Sequence, residues 1–184
     1  PTEFLIHTFV FGWAMEYVFF IVEIVAAFLF YYAWGKLPPA VHQKVGWIYA
    51  ISAWMSLFII TGITAFMLQP GDWQGSFWKG FLNPQTIPQT LTRTGASLLL
   101  ATLYVYLHAA FKARPQILRD LIARRSAIPA MVGAAMITVG GGLWFLFLPE
   151  SARAALTGAA ALNIMMGLVF ALTAIVFFMF YFGP

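Results

Sequence analysis

The run Gly12–Tyr32, GWAMEYVFFIVEIVAAFLFYY, is long and apolar enough to cross a bilayer, yet it holds two acids, Glu16 and Glu23. On a helix their spacing is nearly two turns, so both carboxylates fall on almost the same face, roughly 10 Å apart along the axis. A charge at the centre of a bilayer costs about 3 kcal/mol or more. Protonation, partners or a function must offset that cost.

Composition extends this constraint to the whole chain. Of its residues 62% are hydrophobic and 9% charged, with a mean hydropathy of +0.85. A soluble domain has about a quarter of its residues charged, so the sequence predicts an integral membrane protein. The net charge of +4 reads as a topology signal. No stretch sets basic residues among exposed aromatics on a polar background, which argues against a nucleic-acid partner. The absence of cysteine removes disulfides, thioether haem attachment and thiolate metal sites. The chain opens at Pro1 with neither an initiator Met nor a charged-then-apolar leader, so the expectation is a fragment of a longer polypeptide.

Five apolar segments separate, each near or above the roughly 20 residues a span requires. They run from about Phe4 to Trp34, Gln43 to Leu68, Ile87 to Phe111, Ile128 to Leu148 and Ala152 to Tyr181. Proline punctuates them at Pro38-Pro39, Pro70, Pro84, Pro88 and Pro149, with Pro129 expected in the first turn of the fourth helix. The predicted fold is a single all-α, polytopic transmembrane domain of five helices. Lys36, Lys44, Lys112, Arg114, Arg119, Arg124 and Arg125 lie in two loops on one side, whereas Lys79, Arg93 and Arg153 accompany Glu3, Asp72 and Glu150 on the other. By the positive-inside rule the N-terminus is outside and the C-terminus cytoplasmic, in a bacterial inner membrane. Tyr31, Tyr32, Trp34 and Trp47 suit one aromatic belt, and Trp73, Trp78 and Trp144 the other. The basic stretch Arg114–Arg125 reads first as a lipid-contacting turn, and the outer connection Asp72–Thr86 as an interfacial or subunit-covering loop.

Several groups in these segments have the chemistry of a site. Glu16 and Glu23 suit a proton relay with waters between them; the competing reading is a pair of structural acids bonded to Ser52, Ser56, Thr61 or Thr64. His7 lies near the outer end of the first segment, in an apolar setting, and is a candidate haem ligand. His42 and His108 fall on the cytoplasmic side of antiparallel helices, where they suit axial ligation of one b-type haem or, alternatively, hydrogen bonding near helix ends. His7 and His108 are the candidate metal ligands. Arg93, about a turn into the third helix, suits a propionate or carboxylate partner, or snorkelling to the interface. Gly140-Gly141-Gly142 in the fourth segment reads as close helix packing, and the eight methionines mostly as packing too.

Three consecutive stretches carry a family resemblance. FGWAMEYVFFIVEIVAAFLFYYAW resembles the third transmembrane helix of cytochrome bd-type quinol oxidase subunit I, with its two glutamates about two turns apart among phenylalanines. HQKVGWIYAISAWMSLFIITGITAFMLQPGDW resembles that family's fourth helix, and FLNPQTIPQTLTRTGASLLLATLYVYLHAAF its fifth, entered through Asn-Pro. Order, spacing and orientation agree over about Phe11–Phe111; the last two segments match in hydropathy alone. The departures are equally specific. Where the family's fifth helix has a haem-ligating His-Thr pair, this chain has Arg93-Thr94. The family's first two helices and its long quinol-binding loop have no counterpart, and the acids stand seven apart rather than the usual eight.

The resemblance implies an integral subunit of a bacterial respiratory electron-transfer complex, one component of an oxidoreductase rather than a complete enzyme. Its chemistry would be quinol or cytochrome redox coupled to proton transfer. A b-type haem and a quinone are the cofactors that this implies, and further membrane subunits, an outer c-type cytochrome and lipid are the partners. The alternative is a haem-free scaffold derived from the same bundle and anchoring other redox subunits; a proton or ion channel without redox chemistry ranks below both.

Overall fold

A computed structural model describes residues 2–112 and 115–183; Arg114, one of the expected topology charges, lies outside them. The described residues are all-helical, with no strand, and five of the helices are long and apolar enough to span a membrane. The chain divides into two compact units, 1–86 and 87–184.

The first unit is built on a helical hairpin. A short helix α1 (Thr2–Thr8) leads through Phe9 into α2 (Val10–Tyr32), and α3 (Pro39–Leu68) returns antiparallel to it. The expected single first segment thus has a break at Phe9, although hydrogen bonds from Phe9 N–H to Leu5 and from Trp13 N–H to Phe9 carry the ladder across. The turn closes where Gly35 adopts φ +73°, which any other L-residue would adopt at a cost. Pro39 then opens α3 at its first helical position, where a missing N–H is harmless.

Contact between α2 and α3 is close because Gly12 leaves room for Ile63; a Cβ there would lie 3.1 Å from it. The connection after α3 folds back as α4 (Phe77–Phe81), whose Phe81 ring fills the space over Gly62, where a Cβ would come within 2.6 Å. The expected outer loop is therefore an ordered aromatic cap. Phe9, Phe66, Trp73, Phe77 and Phe81 interlock there, with Phe9 and Phe66 4.9 Å apart edge to face. Buried Asn83 fixes the cap's exit: its Nδ2 donates to Gly80 O at 2.9 Å and Gly62 O at 3.3 Å, and its Oδ1 accepts from Gln85 N–H at 3.0 Å.

The second unit takes over in the first turn of α5 (Thr86–Lys112) and continues through α6 (Gln116–Leu146), α7 (Glu150–Gly158) and α8 (Ala160–Phe182). Two expected boundaries move. The fourth span begins at Gln116 rather than Ile128, so Pro129 stands inside α6 and not in its first turn. Pro115 holds the N-cap instead, and the basic residues that follow are good helix formers that extend the helix out of its apolar stretch. The fifth segment is broken at Ala159 into the amphipathic α7 and the apolar α8.

Small residues set the packing of this unit too. A Cβ on Gly95 would lie 2.6 Å from Gly133 O, and one on Gly133 2.7 Å from Gly95 O, so α5 and α6 meet backbone to backbone. Gly140 makes a second such contact, against Thr92 and Pro88 O. Gly142 faces open space and Gly141 meets only the Phe170 ring, at ordinary contact distance, so the first glycine of the triplet is the one that brings backbones together. Leu99, Ala127, Ala130, Ala134, Ile137 and Phe180 form the core of the unit.

A direct test of this packing compares two glycines of α6's neighbourhood. Gly95→Leu drives a side chain into the Gly133 backbone and should abolish recovery of monodisperse folded protein, whereas Gly142→Leu meets nothing and should fold normally. Equal yields of the two variants by size-exclusion chromatography in detergent would contradict the backbone contact.

Candidate functional site

Hydroxyl groups in the spanning helices mostly serve their own backbone. Thr61 donates to Leu57 O, Thr64 to Ile60 O, Thr92 to Pro88 O, Thr102 to Leu98 O, Thr138 to Ala134 O and Thr173 to Val169 O, all at 2.6–2.9 Å. This i−4 bonding is the default for a hydroxyl with no better acceptor in an apolar helix. Ser56 departs from it. Its Oγ donates to Glu16 Oε1 at 3.1 Å across the α2–α3 hairpin. Of the four hydroxyls expected as partners for the acids, Ser56 is the one bonded to a carboxylate. Thr61 and Thr64 face their own turns, and Ser52 is buried one turn from Ser56.

Glu16 and Glu23 are both half-buried. Glu16 has its serine, while Glu23 makes no hydrogen bond or ion pair with any other described residue. Because α2 and α3 run antiparallel, moving along α2 from Glu16 toward Glu23 corresponds to moving along α3 from Ser56 toward Ser52. Ser52 therefore lies at a depth between the two acids, about 6 Å along α3 from Ser56. The candidate site gathers two carboxyls and two hydroxyls at neighbouring depths of a largely apolar hairpin.

Within the first unit, the two histidines stand far apart. His7 is exposed on α1, and His42 stands at the start of α3, at the opposite end of the hairpin. The His42 ring stacks on Phe30 with centroids 4.3 Å apart and meets the edge of Trp34 at 4.9 Å. Both of its ring nitrogens are buried without a hydrogen-bond partner. That arrangement departs from the expected hydrogen-bonded interfacial histidine, and the enclosed nitrogens leave no approach for a macrocycle. In the second unit, His108 is exposed, stacked over Tyr104 at 6.0 Å, and lines a hollow of about 360 Å³ with Lys112. Arg93 is exposed on α5. Among the described residues no cluster of three His, Cys, Asp or Glu gathers as a metal site.

Two features escaped sequence reasoning. The aromatic box around His42 joins residues from both helices across the turn, and only the fold reveals it. The Asn83 clasp had a readable signal, since an Asn-Pro after an aromatic stretch favours a local side-chain turn. No family model, curated protein or solved structure matches the chain.

The His42 environment yields a measurable consequence. His42→Phe keeps the stacking and removes two orphaned polar atoms, so stability should hold or rise by about 1 kcal/mol. Chemical denaturation in mixed micelles reads this directly. A clear loss of stability, or of absorbance from a b-type haem, would reveal a ligand on that ring.

Proposed function

We propose that this chain is an integral subunit of a bacterial respiratory electron-transfer complex in the inner membrane, and that its first hairpin moves protons through Glu16 and Glu23. The observation that carries the reading is the Ser56–Glu16 hydrogen bond at 3.1 Å, with Glu23, nearly two turns away on the same face, bonded to no described residue. A structural acid would be saturated by its neighbours. Glu23 instead bonds to no other described residue. With the basic loops placed inside, Glu23 lies on the cytoplasmic side of Glu16, and a proton entering from the cytoplasm meets Glu23, then the level of Ser52, then Glu16 and its serine.

The redox context comes from the resemblance to cytochrome bd-type quinol oxidase subunit I over Phe11–Phe111. A b-type haem supplies one-electron transfer where it is bound. Neither unit taken by itself builds a pocket for one, since His42 is closed off and His7 and His108 are exposed. A haem at His7 or His108 would take its remaining walls from outside that residue's own unit. Electron transfer from quinol or from an outer c-type cytochrome accordingly belongs to the surrounding subunits, and this chain contributes the proton path. A second reading, a haem-free scaffold that anchors those subunits, is favoured by Arg93-Thr94 standing where the family has His-Thr.

In the assembled complex, Glu16→Gln and Glu23→Gln should each slow proton-coupled turnover severalfold without reducing assembly. If the acids act in series, the double variant should be little slower than the worse single one. Ser56→Ala should give a smaller loss through Glu16. Turnover and proton uptake in proteoliposomes report both effects, and unchanged rates in all variants would make the hairpin a scaffold.

A further inference from the structure

The second unit holds a cleft that the proton path does not use. It lies between α6, α7 and α8, encloses about 480 Å³ and is open on one side. Gly141 and Gly142 form part of its floor, with no neighbour nearer than Phe170, 3.9 Å from a Cβ on Gly141, so side chains there would have filled it. The cleft follows α6 from Ile137 to Phe145 and α8 from Leu162 to Phe170, about 12 Å of helix rise on each. Its lining is almost wholly apolar. The one threonine, Thr92, spends its hydroxyl on Pro88 O at 2.8 Å.

One end of the cleft is charged. Leu156 of α7 lines it, and Arg153 stands one turn earlier on the same face. The Arg153 guanidinium sits 5.4 Å over the ring of Phe145, itself a lining residue. Its Nη2 donates to Leu146 O at 2.7 Å and Leu148 O at 3.4 Å, which fixes the group at the end of α6. Nε is buried without a partner, whereas Nη1 is not buried and makes no bond to a described residue. Glu150, one turn away on α7, forms no ion pair with it, so this cation has no carboxylate among the described residues. The amphipathic α7 has the pattern of a helix lying in the headgroup plane.

We propose that this cleft binds one anionic glycerophospholipid, with an acyl chain along Gly141, Gly142 and Phe170 and the phosphate on Nη1 of Arg153. Charge complementarity selects this occupant. A guanidinium with free donors and no internal counter-ion matches a phosphate, and an apolar channel leading away from it into the membrane matches a chain. A lipid quinone fits less well, because away from Arg153 its second ring carbonyl would meet an apolar lining, with the Thr92 hydroxyl already spent on Pro88 O.

The test uses the full chain, delipidated in neutral detergent and titrated with dioleoylphosphatidylglycerol or dioleoylphosphatidylcholine, with retained lipid counted by native mass spectrometry. Wild type should hold one equivalent of the anionic lipid about tenfold more tightly than the zwitterion, the ratio expected from a charge-assisted hydrogen bond. Arg153→Gln should erase that preference. Gly142→Leu should remove one equivalent of either lipid by filling the channel while leaving helicity unchanged by circular dichroism. Equal retention of the two lipids by wild type, or full retention in Gly142→Leu, would overturn the assignment. Displacement of the bound equivalent by ubiquinone at matched concentration would overturn it in favour of a quinone site. Should Arg153→Gln fail to fold, Gly142→Leu and the wild-type lipid ratio still decide the outcome.

Discussion

Helices in a bilayer gain little by excluding lipid from one another, because hydrocarbon is as apolar as their own side chains. What holds them is close van der Waals contact, and this chain obtains it by omitting side chains at a few positions. Gly12 admits Ile63, Gly62 admits Phe81, and Gly95 and Gly133 bring two backbones together. Each contact fixes a depth and a rotation. In the first unit that rotation turns Ser56 toward Glu16, so the polar site is a consequence of the apolar packing. The aromatic cap over Gly62 anchors the end of the hairpin nearer Glu16, and the His42 stack on Phe30 anchors the other.

The same medium explains how polar groups are distributed. With no water at hand, a hydroxyl bonds to the carbonyl one turn back, and most threonines here do so. Departures from that default carry information. Ser56 reaches across to a carboxylate, and Arg153 bridges the end of α6 while keeping Nη1 unbonded. The two lie in different units and differ in kind: one holds a carboxyl within an apolar span, the other leaves a cation without a carboxylate among the described residues at the mouth of an apolar channel. His42 is the third departure, and its aromatic enclosure points to packing rather than ligation.

Much of this was legible in the sequence, because the bilayer leaves few ways to fold. Five long apolar runs give five span-capable helices, and Pro38-Pro39 and Pro70 mark their limits well. The errors have one source, the use of hydropathy to place ends. Hydropathy marks where a chain leaves hydrocarbon, whereas a helix stops where its hydrogen bonds stop, so α6 ran on through its basic residues to Pro115. The break at Ala159 was hidden for a related reason: α7 is an alanine-rich amphipathic helix in its own right, and only Gly158 marks its end before α8. For the site, spacing placed the two acids on one face but not the serine across from them. Four hydroxyls of α3 were plausible partners, and the glycine-set rotation between helices chose among them.

That choice bears on which of the chain's ionisable groups have a job. His7 and His108 are exposed, and an exposed polar group on a membrane helix is explained by water, headgroups or a neighbouring subunit. The acids have no such simple account, because both stand within an apolar span and are half-buried against their own hairpin. If the pair were structural, the economical solution would have been a hydroxyl for each, and α3 has Ser52 at an intermediate depth. Instead one acid is held by a serine across the hairpin while the other has no hydrogen-bond partner among the described residues, an asymmetry that a purely structural pair does not require and that the proposed proton path would use.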